Sequence, residues 1–268
     1  MTQIDWAARW RQLVVDREAA AHRDGGSHSD PSYWDQRART FARTTTARSE
    51  QFLEVLRPFV TARTTVIDVG AGAGRHAVPL AERAEWVTAV EPSEGMRSHI
   101  PALPNLTMIA SSWEDAEVAP ADIVICSHVL YGIEDVVPFV EKMERMARER
   151  VFVMLREGPV PHPAHRLRDA MTGTSLPPMP RFSDFFMVLI GMGITPDVTF
   201  ISYPVVNRYA DLAEAVADVR PLFGESWNEV EGPKRLRAML VEDKNELVCD
   251  SGESKSGIAH WKPQRAKS

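Results

Sequence analysis

Residues 66–96 read VIDVGAGAGRHAVPLAERAEWVTAVEPSEGM: an apolar run, a glycine cluster, a helical pattern, and a second apolar run that ends on an acid. This is the outline of a nucleotide-binding β-α-β unit. Gly70, Gly72 and Gly74 follow the first run directly, and glycines let a chain turn sharply and approach a ligand with no Cβ in the way. Amides at the start of the next helix favour a negatively charged group. Glu91 ends the second run, where a carboxylate can accept hydrogen bonds from ribose hydroxyls. A dinucleotide fingerprint calls for a glycine or alanine where this chain has Arg75, which weakens an NAD reading without removing it. A glycine turn that holds no ligand is the bland alternative.

From Thr65 onward, short apolar runs (TVIDV, WVTAV, LTMIA, DIVICS, VFVML) alternate with helical or turn-rich segments. Strands alternating with helices imply a parallel sheet covered on both faces, and right-handed crossovers make a doubly wound α/β fold the expected topology. The segment EDVVPFVEKMERMARER sets Val137, Val140, Met143 and Met146 at helical steps. Three helical patterns precede the sheet: residues 4–23, SYWDQRARTF with Asp30 as cap and Pro31 at its first position, and SEQFLEVLRPFV. Beyond Arg156 the proline-rich PVPHPAH and SLPPMPR predict a loop with at most a short helix. FSDFFMVLIGMG predicts a helix, VTFISYPV a strand, and ADLAEAVADVRPLF and PKRLRAMLVED two further helices. The ending ELVCDSGESKSGIAHW reads as strand, polar turn, strand. The expected division is N-terminal helices forming a lid (1–60), a Rossmann-like cofactor-binding core (61–156), and a cap segment that also completes the sheet (157–268).

A formal charge of −6 disfavours a general affinity for nucleic acid, whose backbone demands a basic face. Cys126 and Cys249 are far apart and no metal-ligand spacing occurs, so neither a zinc site nor a disulfide framework is expected. The start MTQIDWAARWRQ carries charges where a secretion signal needs an apolar core, and no stretch is long enough to span a membrane. A cytoplasmic protein without membrane contact is the expectation.

Asp68, Gly70, Gly72 and Gly74, followed by Glu91, Pro92 and Met96, resemble the pattern of class I S-adenosylmethionine-dependent methyltransferases. ASSWEDAEV, ADIVICSHVLYGIED and VFVMLRE continue the resemblance in order, over roughly residues 30–156. It implies a Rossmann-like, mostly parallel sheet with an antiparallel terminal strand and helical cap elements, and S-adenosylmethionine as cofactor. By position, Asp68 would lie under the methionine amino group, and Gly70, Ala71 and Gly72 would pass beside methionine and ribose. Glu91 would hold the ribose hydroxyls, Pro92 and Met96 would flank the adenine, and Ser112 and Trp113 would frame its edge. Ser127 would offer backbone contacts to the methionine moiety, and Tyr33 would belong to an N-terminal lid. Trp113 and Met96 have plain packing as their alternative.

His128 and Tyr131 lie just past a strand's carboxyl end, where open α/β sheets bind ligands, and are the candidate catalytic pair. Glu157 is a third candidate base. His162 and His165 lack a clear carboxylate partner and read as loop residues, with no metal site expected. Methyl transfer needs a base only when the acceptor must lose a proton, so the lack of an obvious triad does not count against it. CSHVLYG stands where methyltransferases acting on amino groups of DNA commonly show Asp/Asn-Pro-Pro-aromatic. With the acidic balance, this favours a small organic acceptor, methylated at oxygen or nitrogen, over nucleic acid. A nicotinamide-dependent oxidoreductase and a non-catalytic S-adenosylmethionine-binding subunit are the alternatives.

Overall fold

The computed structural model describes residues 4–23, 32, 34, 35, 38, 46–159, 161–173 and 177–264. Its centre is the parallel strands β1 (Thr65–Val69), β2 (Trp86–Val90), β3 (Leu106–Ile109), β4 (Ala121–Ser127) and β5 (Ala147–Arg156). Alternation along these strands sends side chains to two separate cores. Ile67, Val69, Val124, Cys126, Val151 and Val153 face one side; Val66, Ile123, Ile125, Phe152 and Met154 face the other. Burial on both faces explains why these strands read as near-continuous apolar runs.

The helices divide between those faces. α1 (Trp6–Arg23) contributes Trp10 and Val14 to the first core, whereas α2 (Thr46–Leu56) contributes Phe52 and Leu56 to the second. α3 (Ala77–Ala81) follows the glycine loop and α4 (Glu94–Arg97) follows β2. α5 (Val136–Met146) buries Val136, Phe139, Val140 and Met143, the three-and-four spacing of a single helix face. It stops at Met146, and the next residues begin β5 where the sequence pattern extended the helix. Of SYWDQRARTF, the structure describes Ser32, Trp34, Asp35 and Ala38 as helical; its predicted cap at Asp30 and Pro31 lies outside the described residues.

The C-terminal part departs most from expectation. Within the proline-rich stretch α6 (Pro163–Thr172) is a full ten-residue helix, with a proline at its start and Gly173 in the left-handed region at its end. α7 (Phe182–Gly191) packs beside α1 on the first core. β6 (Asp197–Tyr209), α8 (Leu212–Val219) and α9 (Glu231–Ala238) follow. The predicted helix PKRLRAMLVED ends early: Val241–Asp243 form strand β7, and Lys244 and Asn245 turn into β8 (Glu246–Trp261) with φ of 50° and 68°. Two consecutive left-handed residues make the tight turn that a twisted hairpin requires.

ELVCDSGESKSGIAHW is therefore one strand, with no turn inside it. It pairs antiparallel with β6 from Asp197↔His260 to Tyr209↔Leu247. The polar centre forms a bulge: Val205 faces Gly252 and Val206 faces Asp250, which leaves Ser251 as the extra residue beside Gly252 at φ 95°. Continuous pairing with a long partner satisfies the backbone that a turn would have broken.

Among the described residues the sheet order is β3-β2-β1-β4-β5-β8-β6, with β7 on β8. It is a Rossmann-like, mostly parallel α/β sheet whose β8 runs antiparallel to β5. Because Arg156, the last residue of β5, pairs with Ser256, the ribbon of residues 202–209 and 246–255 continues past the carboxyl edge. There α6, α8 and α9 close a third core around Leu167, Tyr209, Val219, Phe223, Leu236 and Leu247. Among the described residues no helix is long and apolar enough to cross a membrane.

Candidate active site

Strand order reverses between β1 and β4, and the carboxyl ends of strands at such a point form a crevice. Gly70 leaves β1 at φ 66° and Gly72 follows at φ 55°, backbone conformations that side chains disfavour. A Cβ on Gly70 would come within 2.3 Å of Val129 Cγ2, so the glycine loop and the turn after β4 lie against each other. Four of the loop amides are directed inward. Gly70 and Ala71 donate to the Val90 carbonyl (2.8 and 3.1 Å), Gly72 donates to Glu91 Oε2 (2.8 Å), and Gly74 to the Ala71 carbonyl (3.0 Å).

Asp68 sits one residue before this loop, on the sheet face otherwise lined by apolar side chains. It is 1 % exposed, and among the described residues neither carboxylate oxygen has a hydrogen-bond partner. Burial, reinforced by the charge of Glu91, pushes its carboxyl up to about 8; the nearby Ala77 amide offsets this only in part.

Glu91 is also buried, and burial raises its carboxyl despite amide bonds from Ser93 (2.9 Å) and Gly72. Arg97 fixes the turn that follows by donating to the carbonyls of Glu91 (2.8 Å) and Pro92 (2.6 Å). Pro92 is exposed there, while Met96 is buried in the short α4 that Ser93 caps by accepting from the Met96 amide (3.0 Å).

Tyr33 lies outside the described residues, but Asp35 shows where this segment docks. Its Oδ1 accepts from the Ser93 hydroxyl (2.5 Å) and the Gly95 amide (2.8 Å), contacts that hold its carboxyl below the usual range. No short-range sequence signal links Asp35 to residues about sixty positions away, and the sequence reading passed over it.

After β3, Ser112 turns its hydroxyl to Asp115 (2.9 Å). The Trp113 indole lies in the first core and donates to the Phe139 carbonyl (3.3 Å), while Lys142 binds the Trp113 carbonyl (2.6 Å) and sits over the ring. Trp113 thus ties the post-β3 turn to α5.

Ser127 ends β4 opposite Met154 of β5. His128 follows in the left-handed region at φ 61°, uncommon for a side-chain-bearing residue, and its amide donates to the Met154 carbonyl (2.9 Å). Its Nδ1 lies 2.7 Å from the Tyr131 hydroxyl, and the two rings are nearly parallel. The Arg156 amide donates to that same hydroxyl (2.7 Å), and the Arg156 guanidinium carbon lies 5.7 Å from the Tyr131 ring centre. The structure therefore joins His128, Tyr131 and the end of β5 in one cluster.

The other candidates lie elsewhere. Glu157 accepts from the Ser183 amide (2.9 Å) at the start of α7. His162 caps α6 and His165 lies within it, so both occupy a helix where a loop was expected. His162 Nδ1 accepts from the Ala164 amide (3.2 Å), which places the ring proton on Nε2, 2.9 Å from Asp218. Among the described residues no group of three or more His, Cys, Asp or Glu is placed to hold a metal ion.

Comparison with known proteins agrees with this geometry. A family described as a methyltransferase domain matches residues 67–155. A curated relative from Haemophilus influenzae, described only as an uncharacterized protein, is 30% identical over 133 residues, covering 46% of this chain and 49% of its own. The chain spans about half the length of that relative. Among solved structures, a putative methyltransferase from Bacillus halodurans superposes with a TM-score of 0.53 at 12% identity, covering 81% of this chain and 99% of that one. The plantazolicin methyltransferase BpumL superposes at 0.52 with 13% identity, covering 94% and 98%. At such identities the likeness is one of fold. The matched segment runs from β1 through β5 and contains the glycine loop, Glu91 and the His128 turn: it is a methyltransferase domain of the class I, S-adenosylmethionine-dependent kind.

Proposed function

We propose that this chain transfers a methyl group from S-adenosylmethionine to oxygen or nitrogen of a small organic acceptor. The carrying observation is a buried carboxylate, Asp68, with no donor among the described residues, beside a glycine loop in which the Gly70, Ala71, Gly72 and Gly74 amides already meet protein oxygens. A dinucleotide pyrophosphate needs loop amides aimed at it. The Gly70, Ala71, Gly72 and Gly74 amides point instead to protein oxygens. A cofactor with an ammonium group and no phosphate fits: the cation meets Asp68, and Glu91 has lone pairs left for ribose hydroxyls. Gly70 and Gly72 keep the path beside methionine and ribose free of side chains, with Ala71 between them and the Ser127 backbone across from them. Pro92 and Met96 would flank the adenine and Ser112 would meet its edge. Trp113 would act by fixing that turn, and Tyr33 would complete the cover carried by the segment that Asp35 docks.

Bound S-adenosylmethionine supplies an electrophilic methyl on a cationic sulfur. The protein's task is to align the acceptor in line with that methyl, exclude water, and take a proton where the acceptor carries one; alignment alone is worth about 7–11 kcal/mol. His128 is the base in this reading. Tyr131 Oη accepts from the Arg156 amide and lies against His128 Nδ1; the base role takes the tautomer in which Nδ1–H donates to that hydroxyl and leaves Nε2 as the basic nitrogen. As the acceptor atom bonds to the methyl carbon, the carbon–sulfur bond breaks with its electron pair on sulfur, and Nε2 receives the acceptor's proton. The net charge of −6 and the CSHVLYG turn support a small molecule over nucleic acid.

Transfer of labelled methyl to a panel of phenols, hydroxy acids and amines tests this. His128→Gln is expected to slow turnover about 10²-fold or more, the usual worth of a positioned base, with donor affinity unchanged within twofold. Equal rates at saturating acceptor would remove the base role. Donor binding with no transfer to any acceptor unless a partner protein is added would mark a non-catalytic subunit.

A further inference from the structure

Among the described residues several arginines have no carboxylate within ion-pair distance; Arg97 and Arg166 donate to main-chain carbonyls instead, whereas Arg156 has neither kind of partner. The chain has 37 acidic against 31 basic side chains, so an arginine has no shortage of carboxylates to meet. Arg150 pairs with Asp197, Arg208 with Asp243 and Glu246, Arg220 with Glu229, and Arg237 with Glu242. Arg156 is half-buried at the end of β5, yet among the described residues no carboxylate lies within ion-pair distance of its guanidinium. Its neighbour Glu157 turns its carboxylate to the Ser183 amide (2.9 Å) and lies beyond ion-pair distance of the guanidinium. Among the described residues the guanidinium meets the Tyr131 ring. An aromatic ring engages the cation but accepts none of its five N–H donors in the plane.

We infer that Arg156 is the anchor for a carboxylate on the methyl acceptor, so that the substrate class is a small organic acid methylated at a hydroxyl or amine near its carboxylate. This rests on the reading above, that the acceptor meets the donor at the His128 turn. The geometry carries the rest. Tyr131 links the guanidinium to His128, so an acid held by Arg156 has its remaining atoms beside the proposed base. The Arg156 amide ties the backbone to the Tyr131 hydroxyl, and the guanidinium lies against the Tyr131 ring. Its planar fork matches the two oxygens of a carboxylate. A single guanidinium also balances one negative charge. The nearby Lys255 sits over Phe200 on the ribbon. Beyond Arg156, a Cβ on Gly158 would meet nothing within 4 Å, so the chain leaving β5 borders open space.

The test titrates acetate, succinate and benzoate, with acetamide, succinamide, benzamide and phenyl phosphate as matched controls, into protein saturated with S-adenosylhomocysteine. The readout is the Arg156 Nε–H nuclear magnetic resonance signal, assigned through Arg156→Lys. At least one carboxylate is expected to shift that signal and to bind ten times more tightly than its amide. Arg156→Met should abolish the preference, and Arg156→Lys should retain part of it, with S-adenosylhomocysteine affinity within twofold in both. Failure of every carboxylate to shift the signal, a preference surviving in Arg156→Met, or tighter binding of phenyl phosphate than of benzoate would each overturn the inference. Failure of the unaltered protein to bind S-adenosylhomocysteine would instead overturn the donor reading.

Discussion

A carboxylate placed among apolar side chains carries a thermodynamic signature. Asp68 has a folded-state carboxyl near 8 against an ordinary value of 3.8, raised by burial first. In the ligand-free protein it therefore holds a proton that the unfolded chain releases. The stabilising contribution is full below 3.8 and is lost as pH rises toward 8. The maximal slope is about 1.4 kcal/mol per pH unit for one proton. Between pH 5 and 7.5, thermal unfolding should show the advantage of Asp68→Asn over the unaltered protein growing with pH. Saturating S-adenosylmethionine should reduce that trend, because the bound ammonium stabilises the carboxylate. A constant difference between the two proteins across this range would count against the buried, partnerless Asp68. His128 is the other special residue: its left-handed backbone sends the ring toward Tyr131, a contact that its place after β4 did not by itself disclose.

Among elements, the β2–α4 turn links Glu91 to the N-terminal segment. A Cβ on Gly95 would lie 2.9 Å from Asp35 Cα and 3.1 Å from its carbonyl oxygen, both backbone atoms that cannot swing aside. Gly95→Ala is expected to undock Asp35, raise the hydrogen-exchange rate of the Gly95 amide about tenfold or more, and lower donor affinity severalfold. An unchanged exchange rate would contradict the docking. The elements around this turn were legible in sequence because each carries a local rule. Burial on both faces made β1, β4 and β5 apolar runs, and glycine and Glu91 marked the strand ends. The C-terminal elements follow long-range pairing instead. The polar centre of β8 resembles a turn until β6 lies beside it. The left-handed Lys244–Asn245 turn lacks the glycine that advertises such hairpins. The contacts of Asp35 and Arg156 were illegible for a similar reason, since their partners lie distant along the chain.

At the scale of the molecule, the candidate site and the cap fall on different cores. The sheet and its two faces hold Asp68, the glycine loop and Glu91, whereas the third core closes a cap on the ribbon beyond the carboxyl edge. Leu236 is fully buried in that cap, and Leu236→Ala is expected to remove about 2–5 kcal/mol of its packing. Hydrogen exchange should speed up in α6, α8 and α9 while β1, β4 and β5 keep their protection and donor affinity holds within twofold. Uniform loss of protection would show that cap and sheet unfold as one unit.

The central claim is that the glycine loop and Glu91 hold S-adenosylmethionine. Calorimetric titration of the full chain with S-adenosylmethionine and with NAD, for the unaltered protein and Glu91→Ala, tests it most directly. Removing a charged acceptor for ribose hydroxyls costs about 1.5–3 kcal/mol, or about ten- to a hundredfold in affinity. The account predicts one S-adenosylmethionine per chain, that loss of affinity in Glu91→Ala, and no heat from NAD. Saturable binding of NAD without binding of S-adenosylmethionine would contradict it.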